Sequence, residues 1–295
     1  MKTQLSILLI SLLLFAFTPH GNEAEIEQIG DGNEIGIEQI GSGHSAFITQ
    51  LGNDNVADIE QMGASHEARV SQEGSHEVHI EQAGTGNQAF VEQVSGQGSI
   101  GGDGNWPGNS SPFAFQGGGA AGDGSSFAHI EQVGEQNVTS VTQEGSHFAD
   151  IYQEGTGNAV SLTQVGGASG EGSAGNPGNA NPPPFSGGNF PGSANPPPFS
   201  GGAETFAAYA LLHQEGHDNV IDLHQEGSHY AEITQIGEGN QANVNQLWGD
   251  GNGGSYVDIY QNGMFNMADV TQYGAGHSAI IEQFGNGNSA TVIQR

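Results

Sequence analysis

The sequence predicts an all-β fold, a two-sided β-solenoid of cross-β type. Its coils of about 22 residues run strand, turn, strand, turn, and Pro/Gly-rich disordered insertions interrupt them. Three observations predict this. One glutamine recurs nineteen times, at spacings of ten or eleven almost throughout each block. Ahead of it small or aliphatic residues alternate with polar ones, the period of a strand whose side chains point to opposite faces. Two residues behind it stands glycine in sixteen of the eighteen units that continue, which admits a positive φ and so a tight turn.

The elements follow in chain order. Lys2 precedes an apolar run from Leu5 to Phe17 that is shorter than the ~20 residues of a spanning helix, and no second such run follows. Residues 1–21 therefore read as a secretory signal peptide, with a retained anchor as the competing reading, and the remainder as a secreted chain without a transmembrane segment. Residues 22–93 carry the first seven units, at Gln28, Gln39, Gln50, Gln61, Gln72, Gln82 and Gln93. Residues 94–125 lack apolar periodicity and form the first insertion. Residues 126–164 hold four units, at Gln132, Gln143, Gln153 and Gln164. Residues 165–207 form the second insertion, with N-P-P-P-F-S-G-G at 181–188 and again at 195–202, composition that stays extended or disordered. Residues 208–295 carry the last eight units, at Gln214, Gln225, Gln235, Gln246, Gln261, Gln272, Gln283 and Gln294. A shorter interruption covers 248–253. All three interruptions follow a unit with asparagine six residues before its glutamine (Asn87, Asn158, Asn240), so they should leave the column along one edge.

Within a unit the residue two before the glutamine is always aliphatic, and the residue four before is usually alanine. Six before stands Asn, His or Ser, with Ala208 the exception, and these types tend to alternate between successive units. Each unit is thus a strand of about six residues and a turn of about five, too short to bury a face alone, so neighbours must stack. Ala, Ile/Val and Gln are expected to line a thin interior with like residues about 4.8 Å apart, and nineteen strands make a column of about 45 Å. Amides stacked in this way hydrogen-bond along the column and satisfy groups otherwise costly to bury.

Composition excludes several functions. Three Lys and Arg face thirty-three acids, a net charge of −30 that repels nucleic acid and anionic membranes alike. The absence of cysteine removes disulfide scaffolds, zinc-thiolate sites and thiol chemistry. The histidines and acids recur by repeat position, whereas a catalytic site is a singular cluster, so the chain is not expected to be an enzyme and no cofactor or metal is assigned. In His76-Glu77-Val78-His79 the two histidines face opposite sides of a strand.

The pattern Q-x-G-x-G-N-x-A-x-I/V-x-Q runs from Gln28 through Gly30, Gly32 and Asn33 to Gln39. It runs again from Gln283 through Gly285, Gly287, Asn288 and Ala290 to Gln294. It resembles the curlin repeat of the subunits of curli, extracellular amyloid fibres of bacterial biofilms. The resemblance implies a polymer of stacked coils in which repeat Gln and Asn carry assembly. That role falls to Gln28, Gln39, Gln50, Gln61, Gln72, Gln225, Gln246, Gln272 and Gln283, and to Asn33, Asn55, Asn219, Asn240, Asn266 and Asn288. The implied partners are further copies of the chain, a nucleating minor subunit and outer-membrane secretion machinery. Histidine replaces the family's usual serine at His44, His66, His76, His147, His229 and His277. Protonation of such inward rings near pH 6 is expected to oppose stacking.

The alternative is a monomeric secreted adhesin that displays its insertions, with calcium at the Gly-Asp-Gly-Asn turns 102–105 and 249–252. The repeats start at about Asn22 and run to Arg295 without a polar cap, which favours polymerisation.

Overall fold

The computed structural model describes residues 21–95, 126–166, 208–247 and 254–295. The expected signal peptide, most of both insertions and the two Gly-Asp-Gly-Asn turns lie outside the described residues.

The described chain is all β. One sheet holds, in order, β1 (Glu23–Ile29), β3 (Ser45–Gly52), β5 (Glu67–Gly74), β7 (Gln88–Val94), β9 (Val138–Glu144), β11 (Ala159–Val165), β13 (Val220–Glu226), β15 (Gln241–Leu247), β17 (Met267–Tyr273) and β19 (Ser289–Gln294). The other holds β2 (Glu34–Ser42), β4 (Val56–Ala64), β6 (Glu77–Thr85), β8 (Phe127–Glu135), β10 (His147–Thr156), β12 (Ala208–His217), β14 (Tyr230–Glu238), β16 (Tyr256–Met264) and β18 (Ser278–Asn286). Every pairing is parallel, and every strand passes to the opposite sheet before the chain returns one rung further on. This is the two-sided β-solenoid, with ten strands on one side and nine on the other.

Register follows the glutamine. Gln28 pairs with Gln50 and Gln39 with Gln61. Across the long interruptions Gln93 still pairs with Gln143 and Gln164 with Gln225. The reason lies in the period-2 burial pattern: a slip of one residue would turn each aliphatic side chain to solvent. Ala57 and Ile59 are fully buried, as are Ala149 and Ile151, while their neighbours on each strand are not. Each buried Ile or Val stabilises the column by about 1.5–3 kcal/mol.

Two expectations need correction. Strands run six to ten residues, because pairing continues past the glutamine through the glycine, as in Gly134 with Gly155. The turns shorten accordingly. In the turn from β8 to β9 both Gly134 (φ 117) and Gln136 (φ 56) occupy left-handed backbone. The path from Gln143 to the next inward corner residue, His147, is one residue shorter than that from Gln132 to Asn137 and needs only Gly145 (φ 120). The difference separates eleven-residue from ten-residue spacings.

The second correction concerns the Asn/His alternation, which changes phase. In the ten-stranded sheet the residue six before the glutamine is Asn22, then His44 and His66, then asparagine from Asn87 to Asn288. In the nine-stranded sheet it is Asn33 and Asn55, then His76, followed by Ser, His or Ala up to His277. Between β5 and β6 the two columns exchange sheets. The strands that flank the three interruptions place all of them in connections from the ten-stranded to the nine-stranded sheet, one edge as expected.

Candidate functional site

The repeated glutamine is inward because it keeps step with the alanine and aliphatic positions two and four residues earlier. Gln50, Gln61, Gln72, Gln225, Gln246 and Gln272 are at most 1% exposed, and Gln39 and Gln283 are buried. Gln28, at the first rung, is half-buried.

These side chains form two unbroken ladders. In the ten-stranded sheet Gln28 Nε2 donates to Gln50 Oε1 (2.7 Å), Gln50 to Gln72 (2.9 Å), and so on to Gln272 and Gln294 (2.8 Å). In the other sheet the chain of bonds runs from Gln39 and Gln61 (2.9 Å) to Gln261 and Gln283 (2.7 Å). The second N–H crosses the column. From β2 onward each glutamine donates to the carbonyl of a residue at the start of the preceding strand, as Gln39 does to Glu23 (3.1 Å), Gln164 to Phe148 (3.1 Å) and Gln294 to Ser278 (2.9 Å). Every buried amide is thereby satisfied, which removes a cost of about 1–3 kcal/mol per group.

At the corners Asn55, Asn219, Asn240 and Asn266 are buried, Asn33 is half-buried, and Asn288, just before the last strand, is exposed. Their polarity is opposite to that of the glutamines. Asn55 donates both its backbone N–H and Nδ2 to Asn33 Oδ1 (3.0 Å each), and Asn240 does the same to Asn219. Histidines substitute in this role: His66 N–H donates to His44 Nδ1 (3.3 Å), and the two rings stack at 5.1 Å. Burial holds the His76 and His147 rings down at a pKa of about 4, while the carbonyls of Glu73 and Glu144 pull the other way. Burial lowers His44, His66 and His229 in the same direction. The expectation of inward charge near pH 6 is therefore corrected. Inside the column the His76 and His147 rings stay neutral well below that, because ionisation there means loss of hydration.

The outer faces also carry columns, which period-2 reading alone left unsorted. Glu38, Glu60, Glu81 and Glu131 stand in register on successive strands. Burial and then the Glu81 charge raise the pKa of both Glu60 and Glu131. Beside them His79 lies 2.8 Å from Glu81 and 3.4 Å from Asp58. Its burial opposes protonation, but the hydrogen bonds and charges of Asp58 and Glu81 outweigh this and push it up to about 9. His76 and His79 thus face opposite sides, as expected, with opposite titration. Phe127, Phe148, Tyr209, Tyr230 and Tyr256 stack in one ladder with centroids 4.4 to 5.2 Å apart. All five stand five residues before their glutamine in alternate units, so an alignment of the units exposes them. Among the described residues no three His, Asp or Glu side chains gather in a way that could hold a metal ion.

The remaining feature is the pair of end faces. Among the described residues β1 and β2 at one end, and β18 and β19 at the other, are paired along a single edge. The β1/β2 face presents the Oε1 acceptors of Gln28 and Gln39, and the β18/β19 face presents the Nε2 donors of Gln283 and Gln294. Outward residues differ too. Glu23, Glu25, Glu27, Glu34 and Glu38 line the first face beside exposed Ile29 and Ile40, whereas the second has exposed Ile280, Phe284 and Ile293 and, on its strands, the single acid Glu282.

The chain matches the Curlin associated repeat family at residues 20–52, 52–76 and 266–295. No curated protein matches it. Strands β6 to β16 lie between the matched segments and keep the same register, glutamine ladders and cross-column bonds. Three segments of the chain are thus similar to the curlin repeat, and the strands between them continue its geometry.

Proposed function

We propose that the protein is a structural subunit of extracellular curli-like amyloid fibres. It self-assembles by end-to-end stacking of open β-solenoid coils and contributes to biofilm matrix and adhesion. One observation carries this reading: the two end faces are unlike and complementary, with amide acceptors and a row of glutamates on one and amide donors on the other. Edge strands with free N–H and C=O groups recruit further strands. Like faces repel through their glutamates, while unlike faces extend both ladders, so growth is head to tail. The glutamines and asparagines that the resemblance singled out are, on this reading, the assembly core. The partners are further copies of the chain, together with a nucleating minor subunit and outer-membrane secretion machinery. Catalysis has no part in it.

Residues 94–125 and 165–207 act as spacers outside the core, so a variant lacking 97–122 and 168–204 is expected to retain strand register and still form fibres. The direct test is to incubate the purified secreted chain and record fibre diffraction, where a meridional spacing of ~4.8 Å is expected. A chain that stays monomeric by light scattering while its circular dichroism reports intact β-structure would favour the adhesin and sink the proposal.

A further inference from the structure

We infer that successive copies stack with a half-turn about the column axis. On the end-to-end stacking proposed above, β1 of the incoming copy adds to β18 in the nine-stranded sheet, and its β2 adds to β19 in the ten-stranded sheet.

The first ground is parity. Among the described residues the column has ten strands on one side and nine on the other, half a coil short of a full rung. If the copies stacked sheet for sheet, β1 on β19, the nine-stranded side would lack a strand at the junction. Its absence would strand the main-chain N–H and C=O groups of β18 and of the incoming β2 without ladder partners. A half-turn places β1 where a twentieth strand would continue the solenoid.

The second ground is the cross-column bond, which ignores which sheet a strand belongs to. Gln39 of β2 reaches Glu23 of β1, Gln50 of β3 reaches Glu34 of β2, and this holds through to Gln294 of β19 and Ser278 of β18. Each strand is thus related to its predecessor by the same half-turn and half-rung step. Among the described residues Gln28 of β1 is the one repeated glutamine that makes only its ladder bond. After a half-turn its second N–H meets the Ser289 carbonyl at the start of β19, as the rule requires. The same step brings Gln283 Nε2 onto the incoming Gln28 Oε1 and Gln294 Nε2 onto the incoming Gln39 Oε1.

The third ground explains the phase change between β5 and β6. With a half-turn the asparagine column ending in Asn266 and Asn288 runs into Asn33 and Asn55 of the next copy. The column ending in Ser255 and His277 runs through one asparagine, Asn22, to His44 and His66. Sheet-for-sheet stacking instead sets the His277 column against Asn33 and Asn55. An exchange of columns inside each copy restores the pattern that an odd strand number inverts at each junction.

The absence of cysteine makes the test clean. Glu25, Ile280 and Thr291 are all exposed and all stand three residues before their glutamine. In-register residues on paired strands lie about 4.8 Å apart, within disulfide range. The double variant E25C/I280C should therefore oxidise between copies in the fibre, and most of the chain should run as dimers and longer species on a non-reducing denaturing gel. E25C/T291C should stay monomeric on the same gel. The reverse result would overturn the half-turn in favour of sheet-for-sheet stacking. Fibres in which neither pair cross-links would overturn in-register junctions of either kind. If the wild-type chain itself formed no fibres, the function proposed above would fail, and the two failures are thus distinguishable.

Discussion

Gln164 offers the sharpest measure of what the inner ladder contributes. Its side chain is fully buried and serves three groups. It accepts from Gln143 Nε2 (2.8 Å), donates to Gln225 Oε1 (2.9 Å), and crosses the column to the Phe148 carbonyl (3.1 Å). Gln164→Leu keeps the shape and orphans all three. At about 1–3 kcal/mol for each buried unsatisfied group, offset by about 1–2 kcal/mol from the added apolar burial, the expected loss is about 4–5 kcal/mol at the middle of these ranges. The structure then makes a stricter claim. In Gln143→Leu/Gln164→Leu the orphaned Gln143 donor disappears, Gln93 Nε2 takes its place, and the only addition is the Phe127 carbonyl that Gln143 had satisfied. The second substitution should therefore cost about 1 kcal/mol, far less than the first, a coupling of the kind a double-mutant cycle resolves. Gln294→Leu, at a half-exposed end rung, should cost less than about 1 kcal/mol. Urea midpoints from far-ultraviolet circular dichroism, taken where light scattering shows monomer, give the comparison. Equal effects at Gln164 and Gln294, or additive effects at Gln143 and Gln164, would refute the reasoning that the amides act as continuous ladders.

Three further outcomes follow from the geometry. His76 and His147 have pKa values of about 4 in the folded column against 6.5 for the free ring, so the unfolded chain binds more protons between these limits. Their stabilisation is complete above pH 6.5 and falls by about 3 kcal/mol each as the pH drops to 4; His76→Ser/His147→Ser should flatten that part of the pH–stability curve, and an unchanged slope would contradict it. His79 has the opposite sign, since its pKa is raised to about 9, so its contribution is present below pH 6.5 and lost as the pH rises through 9. His79→Gln should therefore destabilise the column at pH 6, with an effect that shrinks at pH 10. Gly134→Ala forces a Cβ against the Gly155 carbonyl oxygen at φ 117, and a thermal unfolding midpoint lower by about 6–12 °C is expected, the shift for a loss of about 3 kcal/mol in a fold of about 150–250 residues; a near-native midpoint would show that the turn can rearrange.

What the sequence determined alone is the local rule. The alternation of Ala24, Ile26 and Gln28 against Glu23, Glu25 and Glu27 specifies which face is buried, because a strand has no other way to segregate them. The glycine after each glutamine marks where the chain reverses, and like residues must then stack because no single unit buries its own face. Two-sided coils, inward glutamines and uninterrupted register across the insertions all follow from that. The quantities that depend on neighbours one rung away were decided only in three dimensions. Whether His79 is a solvated surface ring or a cation held between Asp58 and Glu81 depends on which strands flank β6, 21 residues before it and one pairing after it across an insertion. The depressed pKa of His76 comes from the desolvation that the finished column imposes. The direction of each ladder, amide donors pointing toward β19 and asparagine acceptors likewise, is a choice between two tautologous patterns in the sequence that cooperative hydrogen bonding settles for the whole stack. The exchange of the Asn and His columns between β5 and β6 is visible as letters in the chain, but it acquires meaning only once an odd number of strands is seen to leave one sheet a strand short.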